Sequence, residues 1–186
     1  MKIKFLLSIL ITMIIVISCK TSKVNDSVKI ADSSNVIKSG KGLFNQAEAD
    51  FLVKIADARM MDAKEGALAV KRGTSSKIKD YGRLMVKEQA LLLEEIKKIA
   101  ASMSISLPAN ISADKKDGYK DLAAKDGNDF DNKFLKMMRI DHERDIRDFT
   151  KATAFADGKV KDFAIAKLPV IQSHLDKLNV LKDEQK

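Results

Sequence analysis

Both histidines of this 186-residue chain, His142 and His174, fall on apolar stripes of helical period, and Asp62 and Gln89 interrupt two further stripes in the same way. Neutral imidazole and carboxylate are ligands for divalent transition metals, and neither is buried cheaply without a partner. Asp62 stands twelve residues before Thr74 and Gln89 fifteen after it, while His142 and His174 stand sixteen residues on either side of Gly158. If each of these turns joins two antiparallel helices, a rise of about 1.5 Å per residue puts the first pair within about 4–5 Å of the same height and the second pair level. The four groups then form one polar layer, flanked by Glu65, Glu88 and Asp141.

Such a layer has two chemistries open to it. It can hold a divalent transition metal through Asp62, His142 and His174, with Gln89 and Asp141 beside them. Alternatively, Asp62 accepts a hydrogen bond from a histidine and Gln89 completes a buried network that fixes helix register without a metal. The Glu-x-x-His pairs of di-iron bundles are missing, because the residues three before the histidines are Arg139 and Ile171. No glycine-rich phosphate loop, nucleophile elbow or His-Glu-x-x-His motif occurs, and the methionines at helical spacing read as core filler. Nothing here speaks for an enzyme. The expected function is a structural or interaction module with a buried Asp/Gln/His layer, and the alternative is a transition-metal-binding protein.

The elements that must position these groups are helical. Asn45 caps a helix carrying Phe51, Ile55, Ala58, Asp62 and Ala69 and ending near Gly73. Ser75 or Ser76 caps a second, with Ile78, Tyr81, Met85, Gln89, Leu92 and Ile96 inside, and the short turn makes the two a hairpin. Ile105 to Ile111 breaks the period, and Ser112 opens a short helix to about Lys125. Asp129 caps a third long helix with Leu135, Met138, His142, Ile146 and Phe149 on one face, ended by Gly158. The fourth carries Val160, Phe163, Leu168, Ile171, His174 and Leu178, with a kink expected at Pro169. The fold class is therefore all-α: a four-helix bundle over residues 43–186, with a long second-to-third connection that contains a short extra helix.

Ahead of the bundle, Lys2 and Lys4 precede an apolar run from Phe5 to Ile17, and Val16-Ile17-Ser18-Cys19 closes it. The run is too short to span a bilayer comfortably and has the layout of a secretory signal. Residues 1–18 read as a lipoprotein signal peptide, Cys19 as the lipidated residue, and residues 19–42 as a flexible tether rich in Ser, Lys, Asn and Asp. The expected location is the cell envelope, most simply the outer membrane, with the chain held by membrane lipid through Cys19 and an envelope protein or the cell wall as partner. Cys19 is the one cysteine, so no internal disulfide can form. The net charge of +8 is spread over interleaved signs without a basic block, and with no Trp the composition gives nucleic-acid binding no support. Oligomeric state is not legible.

From Phe51 to Leu178 the chain resembles the envelope family known as domain of unknown function 4142. The family pattern has an acidic residue with a glycine four positions on, as in Asp62 and Gly66. Its second helix carries Met-Val-x-Asp-His, matched by Met85 to Gln89 with Glu88 and Gln89 in place of the last two. Leu107-Pro108, the pair Asp141-His142, and the run Leu168-Pro169 to His174-Leu175 complete the resemblance. It implies a ferritin-like fold and secreted or lipid-anchored members, and it supplies no reaction.

Overall fold

The computed structural model describes residues 26–183. Six helices follow in order: α1 (Ser27–Ser39), α2 (Gln46–Arg72), α3 (Ser76–Ser102), α4 (Ala113–Ala123), α5 (Gly127–Phe155) and α6 (Gly158–Asp183). The four long ones, α2, α3, α5 and α6, pack as two hairpins in a bundle-like all-α domain, and the short α4 lies in the connection between them against α2 and α5.

Side-chain caps set several of the boundaries. Asn45 accepts from the Ala47 amide at 2.9 Å to start α2, Ser75 accepts from Ile78 to start α3, and Ser112 accepts from Lys115 to start α4. Two expected caps move. The residue before α5 is Asp126, not Asp129, which lies inside the first turn. Gly158 does not end α5; that helix stops at Phe155, and Gly158, at φ +48°, is the first residue of α6. Glycine adopts that left-handed backbone without the steric cost a Cβ brings. Helix α6 runs on through Pro169 without a break, which the proline's lost amide does not prevent when neighbouring turns hold.

One glycine pair decides how close the first hairpin comes. A Cβ on Gly66 would lie 2.8 Å from the Gly82 carbonyl oxygen, and one on Gly82 would lie 2.7 Å from that of Gly66. The two backbones touch where any side chain would push them apart. Glu65, the residue before Gly66, and Asp62, one turn before it, are both fully buried.

The expected tether is corrected over its second half. Residues 27–39 form α1, capped by Asp26, and it is docked on the bundle. Asn35 is buried and exchanges hydrogen bonds with the backbone of Ser106, donating to its carbonyl at 2.9 Å and accepting from its amide at 2.8 Å. Polar side-chain bonds, not an apolar stripe, hold this helix, and a reading based on apolar periodicity passes over it. Residues 1–25, with the leader and Cys19, lie outside the described residues. Among the described residues no helix is long and apolar enough to cross a membrane.

The core is divided in two. One apolar cluster gathers Leu52, Ile55, Ile96, Phe149 and Phe163, and the other gathers Met85, Phe130, Phe134, Met138 and Leu178. Asp62, Gln89, His142 and His174 each fall between the two clusters along their helices, so the layer is a slab at mid-height.

Candidate functional site

Each long helix contributes to the slab. From α2 come Arg59, Asp62 and Glu65, one turn apart; from α3, Gln89; from α5, Asp141, His142 and Asp145; from α6, His174. All eight are buried, and Arg59, Asp62, Glu65, Gln89 and His142 have no accessible surface. The side chains expected to meet do so: the rings of His142 and His174 lie edge to face, with centroids 5.6 Å apart and planes at 72°.

His142 Nδ1 is 2.8 Å from the Met138 carbonyl oxygen, which can only accept, so the proton sits on Nδ1. Burial, reinforced by the positive charge of Arg59, lowers its pKa and keeps the ring neutral. The Nε2 lone pair is then free in the interior, without a hydrogen-bond partner. A ring nitrogen fixed by a backbone carbonyl with its opposite nitrogen free is the arrangement of a metal-ligating histidine. His174 Nδ1 and Gln89 Oε1 are likewise unpartnered, while the Gln89 amide nitrogen lies 3.6 Å from the Met85 sulfur. Burial, with His142 adding to it, holds the His174 pKa down to about 3.

The carboxylates converge on the other side of the slab. One oxygen from each of Asp62, Glu65 and Asp141 falls within a group whose atoms all lie within 4.8 Å of one another. Asp141 is tied at 2.6 Å to Arg144, which is part exposed. Asp62 lies 3.2 Å from the Arg59 guanidinium, but neither of its oxygens has a hydrogen bond, and neither has either oxygen of Glu65. Two fully buried carboxyls without a hydrogen-bond partner resist ionisation. Burial lifts Asp62 to about 7 against the pull of Arg59, and burial with the nearby Asp62 and Asp141 lifts Glu65 well above the carboxylate range. A cleft of about 380 Å³ between α2, α4 and α5 is lined by Glu65, Asp141 and Asp145, with Met61 and Met137 on its wall.

Two members of the slab escaped the sequence reading. Arg59 is fully buried and donates to Asp145, the short ion pair that crosses from α2 to α5. Burial opposes its charge, but Asp145 and Asp62 outweigh that and hold the guanidinium protonated. The signal was available: Arg59 stands four residues after Ile55, and Asp145 three after His142 and four before Phe149, all on inward stripes. Their type concealed them, because the stretch from Asp141 to Lys151 alternates in sign and reads as a solvated face. Glu65 and Asp141, taken from sequence as flanking residues, are the side chains that share a point with Asp62. Glu88, the remaining flanking residue, lies outside the slab and lines a separate groove with His174.

The donor set fits a divalent cation: three carboxylates, with orphaned buried oxygens on two of them, prefer a hard or borderline ion, and imidazole nitrogens stand in the same layer. Fold and site together define a helical-bundle protein with a buried carboxylate and histidine layer.

Residues 38–181 match the family described as Domain of unknown function (DUF4142), and the chain belongs to that family. No curated protein matches it in sequence. In fold it is similar to the crystal structure of a DUF305 fragment from Deinococcus radiodurans, with a TM-score of 0.66 at 10% identity, over 74% of this chain and 95% of that one.

Proposed function

We propose that this protein is a ferritin-like metal-binding protein of the cell envelope, which takes up a divalent transition-metal ion in its core for metal handling or protection against envelope stress. Asp62, Glu65 and Asp141 supply the oxygen ligands of that ion, and His142, His174 and Gln89 stand in the same layer. The observation that carries the reading is the convergence of three buried carboxyls, two of which have no hydrogen-bond partner. Leaving such groups unmatched costs about 1–3 kcal/mol each, and a bound cation removes that cost by letting them ionise against a positive charge. The cleft between α2, α4 and α5 supports a route for the ion, because Glu65 and Asp141 line it.

Titration calorimetry of the purified chain with Mn(II), Fe(II), Zn(II) and Cu(II) tests this. The expected result is one ion bound per chain, with affinity lost in Glu65→Gln. Absence of heat and of any shift in melting temperature with all four ions would exclude the reading. It would leave the second one, favoured by the Arg59 to Asp145 ion pair: a metal-free polar slab that sets helix register in an interaction module.

We further propose that the chain is held to membrane lipid through Cys19, on the strength of the apolar run that ends there. Intact-mass analysis of the protein from its own cells, beside a Cys19→Ser control, checks the lipid.

A further inference from the structure

Helix α1 is built inside out. Its inward side is polar: Asn35 bonds the Ser106 backbone, Lys38 Nζ donates to the Ser104 carbonyl at 2.8 Å, and Ser27 Oγ accepts from the Ala109 amide at 2.7 Å. Ala31 is buried and Val28 half-buried, while its other aliphatic side chains point out, with Ile30 56%, Val36 58% and Ile37 63% exposed, and Leu43 just beyond the helix is 57% exposed. Ile30 and Ile37 are seven residues apart and so nearly in line, with Val36 about 100° round from Ile37. The other exposed large apolar residues, two each on α3, α5 and α6, stand five or more residues apart on their helices, as is normal for a protein surface. A helix that spends its polar groups on the protein and turns its aliphatics to solvent has the polarity required at an apolar boundary. Exposed Lys29 and Lys41 border the stripe, which suits an anionic one.

We infer that α1 is a foot that lies on the lipid bilayer, its Ile30, Val36 and Ile37 face entering the headgroup and acyl boundary. The inference rests on the lipid anchor proposed at Cys19. Six residues lie between Cys19 and Asp26, the N-cap of α1, and the seven Cα-to-Cα steps span at most about 25 Å, so an anchored chain keeps α1 within reach of the membrane surface. With the chain held at Cys19, a second apolar contact from the same molecule forms as an intramolecular attachment to the same surface. The bonds at Asn35 and Lys38 fix α1 on the α3 to α4 connection, so the foot also sets how the bundle stands on the membrane.

The chain contains no Trp, so Ile37→Trp gives a single reporter at a site that is already exposed. The chain from Cys19 onward, which includes every described residue, is coupled through its sole cysteine to a maleimide-headgroup lipid. The vesicles are phosphatidylethanolamine and phosphatidylglycerol with brominated acyl chains. This coupling replaces any lipid added in the cell, so a failure of lipidation and a failure of the foot are read separately. The expected result is a blue shift and quenching of Ile37→Trp on the vesicles, with Val180→Trp, on α6, unchanged from buffer. Emission from Ile37→Trp identical on coupled vesicles and in buffer would overturn the proposal. So would a blue shift without vesicles in a sample whose scattering mass is that of a dimer, since the stripe would then be covered by a second copy.

Discussion

His142 and His174 meet edge to face at 5.6 Å between ring centroids, midway along the bundle, and neither ring has a charged group of opposite sign in direct ion-pair contact among the described residues. The ring pair joins α5 to α6 within the slab, and the carboxyl group of three joins α2 to α5. Replacing either histidine by Ala removes ring packing and leaves the partner's free nitrogen facing a gap. The expected loss is about 2–4 kcal/mol in chemical denaturation, larger than for any exposed residue of α6.

The histidines also give the metal-free protein an acid limb. Both native pKa values lie below the ordinary 6.5, that of His174 at about 3, because burial disfavours the charged ring. The unfolded chain therefore binds protons first. Their contribution to stability is present above about pH 6.5 and is lost as pH falls towards 3. Denaturation midpoints measured over that range should fall more steeply in the native chain than in a His142→Gln, His174→Gln double variant.

Asp62 and Glu65 act with the opposite sign. Burial raises both native pKa values, Asp62 to about 7, so the fold holds protons that the unfolded chain has released. Stability is lost as pH rises from the carboxylate range through 7. Glu65→Gln should flatten that loss, and in the native chain saturating Mn(II) should do the same, with protons released on binding. Apparent metal affinity then rises between pH 6 and 8, which calorimetry in buffers of different ionisation heat would show.

Arg59 is the group whose removal should harm the fold most. Arg59→Met leaves Asp145 and Asp62 buried beside one another without a counter-charge, at an expected cost of about 3–5 kcal/mol. Adding Asp145→Leu should recover much of it. A double-mutant cycle of thermal melts in metal-free buffer would measure the coupling.

Gly66→Ala tests the close approach of α2 and α3. Its Cβ meets the Gly82 carbonyl at 2.8 Å, which is backbone and cannot turn aside. The helices must separate by some tenths of an ångström, with an expected cost of about 1–3 kcal/mol and a weakened metal site, since Glu65 is the adjacent residue. Ala in place of Gly118 is the control, because its Cβ would meet only the methyl ends of Met61 and Met137 at 3.8 Å.

Much of the architecture is written in the sequence by local rules. Asn45, Ser75 and Ser112 mark helix starts because their side chains bond amides two or three residues on, and the 3.6-residue period of Phe51, Ile55, Met85 and Phe149 states which face is inward. Equal spacing from a turn is also local arithmetic, and for that reason His142 and His174 are legible as a pair. Tertiary structure alone decided which partners each polar group has. The buried Arg59 to Asp145 bridge joins residues 86 apart in sequence, and although both stand on inward stripes their charged type reads locally as a solvated surface. The group of Asp62, Glu65 and Asp141 arises from the approach of α5 to α2, set by packing of side chains far from all three. Helix α1 depends on the Ser106 backbone, seventy-one residues away, for the bonds that hold it. Chain-local propensity carries the position of a helix and its inward face. The charge, proton and ligand environment of a buried group is a sum over neighbours from several helices, and only the folded bundle brings them together.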